Sequence, residues 1–373
     1  MHAKIINIQF LRAFAALLVV FYHTSAHYFA VGGEHAGNLF SIMSHIGYAG
    51  VDIFFVISGY IMWYTTYKTQ GFKKILEFIY ARVTRIYPLY WSFFFLLILI
   101  YWGKEKLTQS DIIGSFFLTT SSLGDMLLPV AWTLQYELYF YLFFSLLLFV
   151  PRNYQIKVLL LALVTIIFVQ IYAIYDLHIY DKAHFNSVSR FYLFWTSPFI
   201  TEFFLGAFVA YYFEHRRIKY LIPVIISIIL LILGALYYQD HRIEGTLEQG
   251  YYMPQRVLFM GTIAMLLLVC AIELNARGIL LFPKIAMKLG NASYSLYLSH
   301  TILLYLAYNT GIRKNIHDIG MYPGLGMSII IGIILWYTLL HYKYIELPLL
   351  KLSKKTRKKL FTYKQKKIKN QKY

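Results

Sequence analysis

The sequence predicts an all-α, polytopic integral membrane protein of about ten transmembrane helices. Of its 373 residues, 59% are hydrophobic and 19% aromatic, whereas only 14% are charged. A soluble domain carries about a quarter of charged residues, and the mean hydropathy of +0.56 also indicates a membrane protein. Runs of about 20 apolar residues recur along the chain, which is the length that a helix needs to cross a bilayer.

Ten of these apolar runs are predicted to be transmembrane helices. They cover residues 5–28, 46–66, 86–103, 130–150, 157–176, 194–213, 220–238, 257–273, 289–310 and 322–342. A shorter segment, 112–123, is rich in Ser and Thr, and we interpret it as an interfacial or re-entrant piece. The first run superficially resembles a signal peptide, but Arg12 interrupts it and no small-x-small cleavage pattern follows. We therefore expect it to be retained as a helix.

The distribution of basic residues predicts that both termini are cytoplasmic. Cytoplasmic loops are enriched in Lys and Arg, and the segments after the even-numbered runs carry more of them than those after the odd-numbered runs. The basic residues after the second, fourth, sixth and eighth runs are Lys68, Lys73, Lys74, Arg82, Arg85, Arg152, Lys157, Arg216, Arg217, Lys219, Arg277, Lys284 and Lys288. This orientation requires an even number of crossings, which agrees with ten.

Two regions are predicted: a membrane domain over residues 1–350 and a basic cytoplasmic tail over residues 351–373. The tail is dense in Lys, so we expect it to be disordered or to lie on the anionic inner leaflet. Most of the formal net charge of +18 lies in this tail and in short loops, which indicates membrane topology rather than nucleic-acid binding. The single cysteine, Cys270, excludes an intramolecular disulfide and a thiolate metal cluster, and no metal site is predicted.

The first run carries two ionisable residues, Arg12 and His23. Eleven positions on a helix amount to three turns plus about 20°, so both side chains lie on one face, roughly 16 Å apart along the axis. Ionisable groups inside a membrane are costly, which makes the pair a candidate functional site. The alternative is that Arg12 extends to the headgroups and that His23 is a hydrogen-bonded packing residue.

Three acidic residues are predicted to lie at depths similar to that of His23. Asp52 is near the outer start of the second run, and Glu137 and Glu202 are within the outer halves of the fourth and sixth. A carboxylate beside an imidazole fixes its tautomer and stabilises the imidazolium, so this arrangement predicts a general base. Asp52 is the first candidate to orient His23 and Glu137 the second, whereas Glu202 is as readily explained as a structural contact.

Arg82 and Arg85 form a second polar group, predicted on the cytoplasmic side. They lie one turn apart on one helix face, and Arg binds phosphate through its fork of donors. Membrane topology alone would also place arginines here. Together with Arg12 they mark a route from the cytoplasm towards His23, which suits a long donor with a phosphate head, such as acyl-coenzyme A (acyl-CoA).

The motifs of the chain resemble those of the acyltransferase-3 family of integral membrane acyltransferases. The resemblance is carried by LRAFAALLVVFYH (Arg12, His23), GVDIFFVISGYIM (Asp52), ARVTRIYPLYW (Arg82, Arg85), AWTLQYELYFYLFF (Glu137), ITEFFLGAFVA (Glu202), NASYSLYLSH (Ser293, His300) and YIELP (Glu346). These motifs follow one another in family order over nearly all of the first 350 residues. The chain is most similar to the stand-alone members that modify exopolysaccharide or O-antigen.

Membership would imply a ten-helix enzyme in the bacterial inner membrane that transfers an acyl group, usually acetyl. The donor would be cytoplasmic acyl-CoA, used as a co-substrate with no permanently bound cofactor. The acceptor would be a hydroxyl of a cell-surface or lipid-linked glycan. The resemblance assigns the essential pair to Arg12 and His23, coenzyme A binding to Arg82 and Arg85, and acid–base or orienting roles to Asp52 and Glu137.

Two other classes of function compete with an enzyme. A transporter or flippase of a lipid-linked sugar would also have many spans and buried charge, but no paired Gly/Pro-broken helices occur in corresponding halves. A membrane sensor without catalysis agrees less well with so many intramembrane carboxylates. Consumption of acyl-CoA would distinguish the enzyme from both alternatives. His300 ranks second as a site residue, because a satisfied core histidine is as good an explanation.

Overall fold

The computed structural model describes residues 5–29, 46–66, 71–120, 125–176, 178, 189–242, 256–310 and 323–370, and the described residues contain helices and no strands. In chain order the helices are α1 (Ile6–Phe29), α2 (Ala49–Thr66), α3 (Phe72–Ile100), α4 (Glu105–Gln109), α5 (Ile112–Phe117), α6 (Trp132–Leu147), α7 (Arg152–Tyr175), α8 (Arg190–Trp195), α9 (Phe199–His215), α10 (Ile222–Arg242), α11 (Thr262–Ala276), α12 (Pro283–Asn291), α13 (Ser293–Asn309), α14 (Pro323–His341) and α15 (Leu347–Asn370). π-Helical segments, Val257–Gly261 and Tyr342–Glu346, precede α11 and α15. The predicted all-α class is confirmed.

Five stretches of the described residues are long and apolar enough to cross a membrane. They are Ile6–Ser25, Phe72–Ile100, Arg152–Tyr175, Val257–Ala276 and Gly324–Phe361. Each of the ten predicted segments overlaps one or two helices of the described residues, whereas ten crossings and the orientation of the termini stay predictions. Helices α7 and α10 expose large apolar side chains along their length, including Leu161, Val164, Phe168, Ile229 and Leu230. Such exposed apolar surface is typical of contact with lipid, so the chain is a multi-pass membrane protein.

The third predicted segment is wrong at its start. The sequence predicts a span from residue 86, but α3 begins at Phe72 and continues through Pro88. Its first half mixes apolar and charged residues, which interrupt the apolar run without interrupting the helix. Arg82 and Arg85 therefore lie within α3 rather than before it.

One compact unit comprises residues 1–64 and 159–336. In this unit α1 packs against α11, α12 and α13. Gly59 of α2 lies against the backbone of Phe203, and Gly206 of α9 lies against the backbone of Val56, so the two glycines let α2 and α9 approach closely. Gly290 of α12 lies in the same way against the backbone of Gln9 on α1. These approaches hold together the helices that carry the ionisable residues.

The second compact unit comprises residues 65–158 and 337–373. In this unit α3 packs against α6 and α15. Aromatic donors of α3 bind the last carbonyls of the short helix α5: the Tyr90 hydroxyl donates to Ser115 O at 2.5 Å and Trp91 Nε1 to Phe116 O at 3.1 Å. The basic segment after residue 350 continues α15 to Asn370, so residues 351–370 are helical, and their position on the inner leaflet stays a prediction. Ser353 Oγ donates to Thr84 Oγ1 at 2.6 Å, which joins α15 to α3.

Candidate active site

His23 of α1 lies against a second histidine, His300 of α13. Nε2 of His300 is 3.2 Å from Nδ1 of His23, and the ring centroids are 5.0 Å apart. Each Nδ1 also contacts a carbonyl oxygen one turn back in its own helix, that of Val19 at 3.0 Å and that of Leu296 at 3.2 Å. The His300 side chain is fully buried, whereas His23 is half-buried. The structure thus makes His300 a direct partner of His23.

Arg12 connects the same two helices. Its Nη2 donates to Ser293 Oγ at 2.9 Å, and its Nη1 donates to Gln9 Oε1 at 3.3 Å. Ser293 in turn donates to the carbonyl oxygen of Gly290 at 3.0 Å. Arg12 and His23 both contact α13, which agrees with the shared helix face that their spacing predicts. Arg12 therefore holds the first turn of α13 in place, whatever ligand it also contacts.

Asp52 is paired with Arg256, which lies directly before the eighth predicted apolar run and was not among the candidate site residues. Arg256 binds it in a bidentate manner, with Nε 3.2 Å from Oδ1 and Nη2 2.8 Å from Oδ2. The guanidinium carbon also lies over the rings of Tyr48 and Phe199, 4.6 and 4.8 Å from their centroids. Asp52 has no exposed surface, so its charge depends on this pair. A signal for Arg256 was its place at the very start of an apolar run.

Glu202 lies beside this ion pair. Its side chain has no exposed surface, and its carboxyl group lies close enough to that of Asp52 for the two to interact. Asp52 and Arg256 are the charged groups that act on it. A Cβ at residue 261 would be 2.9 Å from Glu202 Cγ, so Gly261 leaves room for this side chain. The predicted convergence of Asp52 and Glu202 is thus observed, with Arg256 as their shared partner.

Glu137 and Arg82 belong to a polar group in the second unit. Tyr141 donates to Glu137 Oε1 at 3.0 Å, and the guanidinium of Arg82 lies 5.6 Å from the centre of the Tyr141 ring. Arg82 Nη2 also donates to Thr65 Oγ1 at 3.0 Å. Its Nε is buried, and among the described residues it donates no hydrogen bond. Arg82 is therefore a half-buried cation whose buried Nε is a donor that a ligand could use.

Arg85, one turn further along α3, is ion-paired with Glu346. Its Nη1 is 3.5 Å from Glu346 Oε1, and the carboxylate side chain is only 1% exposed. Two arginines and two glutamates thus share this region. Among the described residues, no group of three or more His, Cys, Asp or Glu side chains could hold a metal ion.

The predicted site residues fall into the two units. Arg12, His23 and Asp52 belong to the first, whereas Arg82, Arg85 and Glu137 belong to the second. An acid–base role of Glu137 at His23 stays a prediction, as does the phosphate role of the two arginines. The orienting role of Asp52 also stays a prediction: Asp52 accepts two hydrogen bonds from Arg256, and the imidazole nitrogen beside His23 Nδ1 belongs to His300.

Comparison with known proteins finds similar chains from two bacteria. The exopolysaccharide production protein ExoZ of Rhizobium meliloti (strain 1021) is 29% identical over 334 residues, which cover 87% of this chain and 95% of ExoZ. A protein of Staphylococcus aureus (strain COL), provisionally named as an O-acetyltransferase, is 23% identical over 382 residues. That match covers 91% of this chain but 56% of the relative, so the chain spans about half of that protein. No solved structure matches.

The family comparison covers the site of the first unit and most of the polar residues of the second. The acyltransferase-3 family model, described as an acyltransferase domain, matches residues 5–341. This range includes every residue of the first unit's described site and, in the second unit, Arg82, Arg85 and Glu137. The chain belongs to the acyltransferase-3 family, and it is a multi-pass membrane acyltransferase.

Proposed function

We propose that this protein is an O-acetyltransferase that moves an acetyl group from acetyl-CoA to a hydroxyl of an exopolysaccharide or of its lipid-linked precursor. The observation that carries the proposal is His23, held on the Arg12 face of α1 in a chain of the acyltransferase-3 family. The name of the Rhizobium relative supports exopolysaccharide as the acceptor class, and the name of the Staphylococcus relative supports O-acetyl transfer. In this proposal ten helices cross the bacterial inner membrane, and both termini are cytoplasmic.

His23 acts as the general base in this proposal. Its imidazole takes the proton of the acceptor hydroxyl as the oxygen attacks the carbonyl carbon of the thioester. The new carbon–oxygen bond forms, the carbon–sulfur bond breaks, and the leaving thiolate takes the proton from the imidazolium. A route in which His23 first accepts the acetyl group would use the same nitrogen as nucleophile. Both routes give an acetyl ester and coenzyme A.

Arg82 and Arg85 bind the phosphates of the donor in this proposal. The buried Nε of Arg82, which donates no hydrogen bond among the described residues, supports an anionic or carbonyl ligand there. Arg85 would keep Glu346 as its counter-ion and add a second positive charge to the same face of α3. Asp52 and Glu137 keep their proposed acid–base or orienting roles.

The test of the function is acetyl transfer by the full chain in native membranes. A deletion strain is complemented with the native chain or with His23→Ala, and its exopolysaccharide is analysed by mass spectrometry. Acetylation restored only by the native chain, with release of coenzyme A in isolated membranes, would support the proposal. Unchanged acetylation together with accumulation of lipid-linked sugar inside the cell would instead support a transporter.

A second test addresses the donor site. Arg82→Ala should raise the KM for acetyl-CoA more than it lowers kcat, because the contact binds the ground state and the transition state alike. Arg82→Lys should recover only part of the loss, since it keeps the charge but not the planar fork. Arg357→Ala is the matched control, because Arg357 lies 3.9 Å from Glu77 in the same unit and is outside the proposed site. Equal KM values in Arg82→Ala and in the control would contradict the phosphate role.

A further inference from the structure

We propose that His300 is a positioning residue for His23: beside the carbonyl oxygen of Val19, it is a second acceptor for the Nδ1–H of His23, and the two acceptors together keep Nε2 as the nitrogen that takes the proton. The inference rests on the proposed function, in which His23 is the general base. It deepens that function by naming a side chain that helps to set the tautomer of the base. In hydrolases that use a histidine base, a carboxylate has this role.

The tautomers follow from the three contacts of the two rings. The carbonyl oxygens of Val19 and Leu296 can only accept hydrogen bonds, so the nitrogens that face them, Nδ1 of His23 and Nδ1 of His300, must carry hydrogen. A neutral imidazole with hydrogen on Nδ1 has its lone pair on Nε2. Nε2 of His300 therefore presents a lone pair to the Nδ1–H of His23 at 3.2 Å.

The opposite assignment is unfavourable at two contacts. If neutral His300 carried its hydrogen on Nε2, its Nδ1 lone pair would face the carbonyl oxygen of Leu296. Nδ1 of His23 would then have to accept, and its own lone pair would face the carbonyl oxygen of Val19. Two acceptor–acceptor contacts at 3.0 and 3.2 Å would result. The network thus selects the assignment in which both Nδ1 atoms donate.

The same contacts favour proton uptake by His23. When Nε2 takes the proton of the acceptor hydroxyl, Nδ1–H becomes a charge-assisted donor to Val19 O and to His300 Nε2. His300 is 0% exposed, so its ring cannot turn away without repacking of α13. Among the described residues, Tyr22 lies 5.2 Å from the His23 ring and Tyr297 lies 5.8 Å from the His300 ring, measured between centroids. Neither ring contact fixes the hydrogen on an imidazole nitrogen.

The test compares two substitutions of His300 in the full chain, reconstituted in lipid nanodiscs. His300→Phe keeps a ring but offers no acceptor, whereas His300→Gln places an amide oxygen as many bonds from Cα as Nε2. General acid–base catalysis contributes roughly 10²–10⁴-fold, so we expect His300→Phe to lower kcat by about 10- to 100-fold. The KM for acetyl-CoA should stay unchanged, and His300→Gln should recover most of kcat. His341→Phe is the control for loss of a buried histidine, because His341 stacks on Phe93 in the second unit and is outside the site.

A direct reading of the tautomer comes from nitrogen NMR of histidine-labelled protein, with the His23 signal identified by its loss in His23→Ala. We expect hydrogen on Nδ1 of His23 in the native chain and in His300→Gln, and a growing Nε2–H population in His300→Phe. If His23→Ala abolishes transfer but His300→Phe keeps the native kcat and tautomer, the positioning role is wrong and the proposed function stands. If His23→Ala retains full transfer, the proposed function itself is wrong. If His300→Gln is as impaired as His300→Phe while both fold, His300 acts by packing and not as an acceptor.

Discussion

Replacement of Arg256 by Met is expected to destabilise the first unit by about 3–5 kcal/mol, the usual cost of removing one partner from a buried ion pair. Asp52 accepts both of its hydrogen bonds from Arg256, at 3.2 and 2.8 Å, and has no exposed surface. Without the guanidinium, an uncompensated carboxylate would remain buried beside the carboxyl group of Glu202. Met has a similar length and keeps much of the packing, so the loss would be mainly electrostatic.

The assay is the fraction of detergent-solubilised full chain that stays monodisperse after heating. At about 2–4 °C per kcal/mol for a domain of this size, the apparent Tm should fall by roughly 6–20 °C. Asp52→Asn should cost less, because it leaves Arg256 beside Glu202, which can take over as its counter-ion. The double change Arg256→Met with Asp52→Leu should be more stable than Arg256→Met alone. An apparent Tm of Arg256→Met within about 2 °C of that of the native chain would refute the reasoning. A double variant whose Tm is no higher than that of Arg256→Met would show that packing dominates.

Three further changes test other contacts by the same thermal assay. Gly59→Ala would bring a Cβ against the carbonyl oxygen of Phe203 and should cost about 1–3 kcal/mol, as overpacking does; an unchanged Tm would mean that α2 and α9 can separate freely. Arg85→Met should be more harmful than Glu346→Gln, because Glu346 is 1% exposed and Arg85 is 29% exposed; the reverse order would contradict this. Asn275→Ala should cost about 1 kcal/mol, since Asn275 Oδ1 accepts from the first backbone N–H of α1 at 2.9 Å; no loss would show that water replaces this cap.

The helical architecture was predictable because it follows from local pattern. Apolar runs of span length are visible in a single sequence, and each of the ten overlaps one or two helices of the described residues. The start of α3 was not predictable in this way, since Lys73, Lys74 and Glu77 interrupt its apolar pattern while leaving helix propensity intact. The extension of the last helix to Asn370 has a similar origin, because α15 is supported by packing on α3 rather than by an apolar run.

The candidate site was predictable in its residue types but not in its pairs. The Arg12–His23 spacing gives one helix face, and that face contacts α13 as expected. Which polar groups meet across helices depends on crossing points that a single sequence does not contain. Asp52 therefore appeared as a partner for His23, although its hydrogen bonds go to Arg256, 204 positions away. His300 ranked second because a satisfied core histidine was as good an explanation for its place in an apolar run.

The first unit contains two buried pairs of different kinds. Asp52 and Arg256 form an ion pair, whereas His23 and His300 form a pair of imidazoles. An ionised carboxylate in an apolar interior costs several kcal/mol unless a counter-ion and hydrogen bonds compensate for it. Asp52 has both in Arg256, so its charge is compensated within the apolar interior. A neutral imidazole such as His300 can orient His23 without bringing a further charge into the membrane before the reaction begins. The cost of charge then arises only when His23 takes a proton, and the His300 ring and the carbonyl oxygen of Val19 are in place to stabilise the imidazolium at that moment.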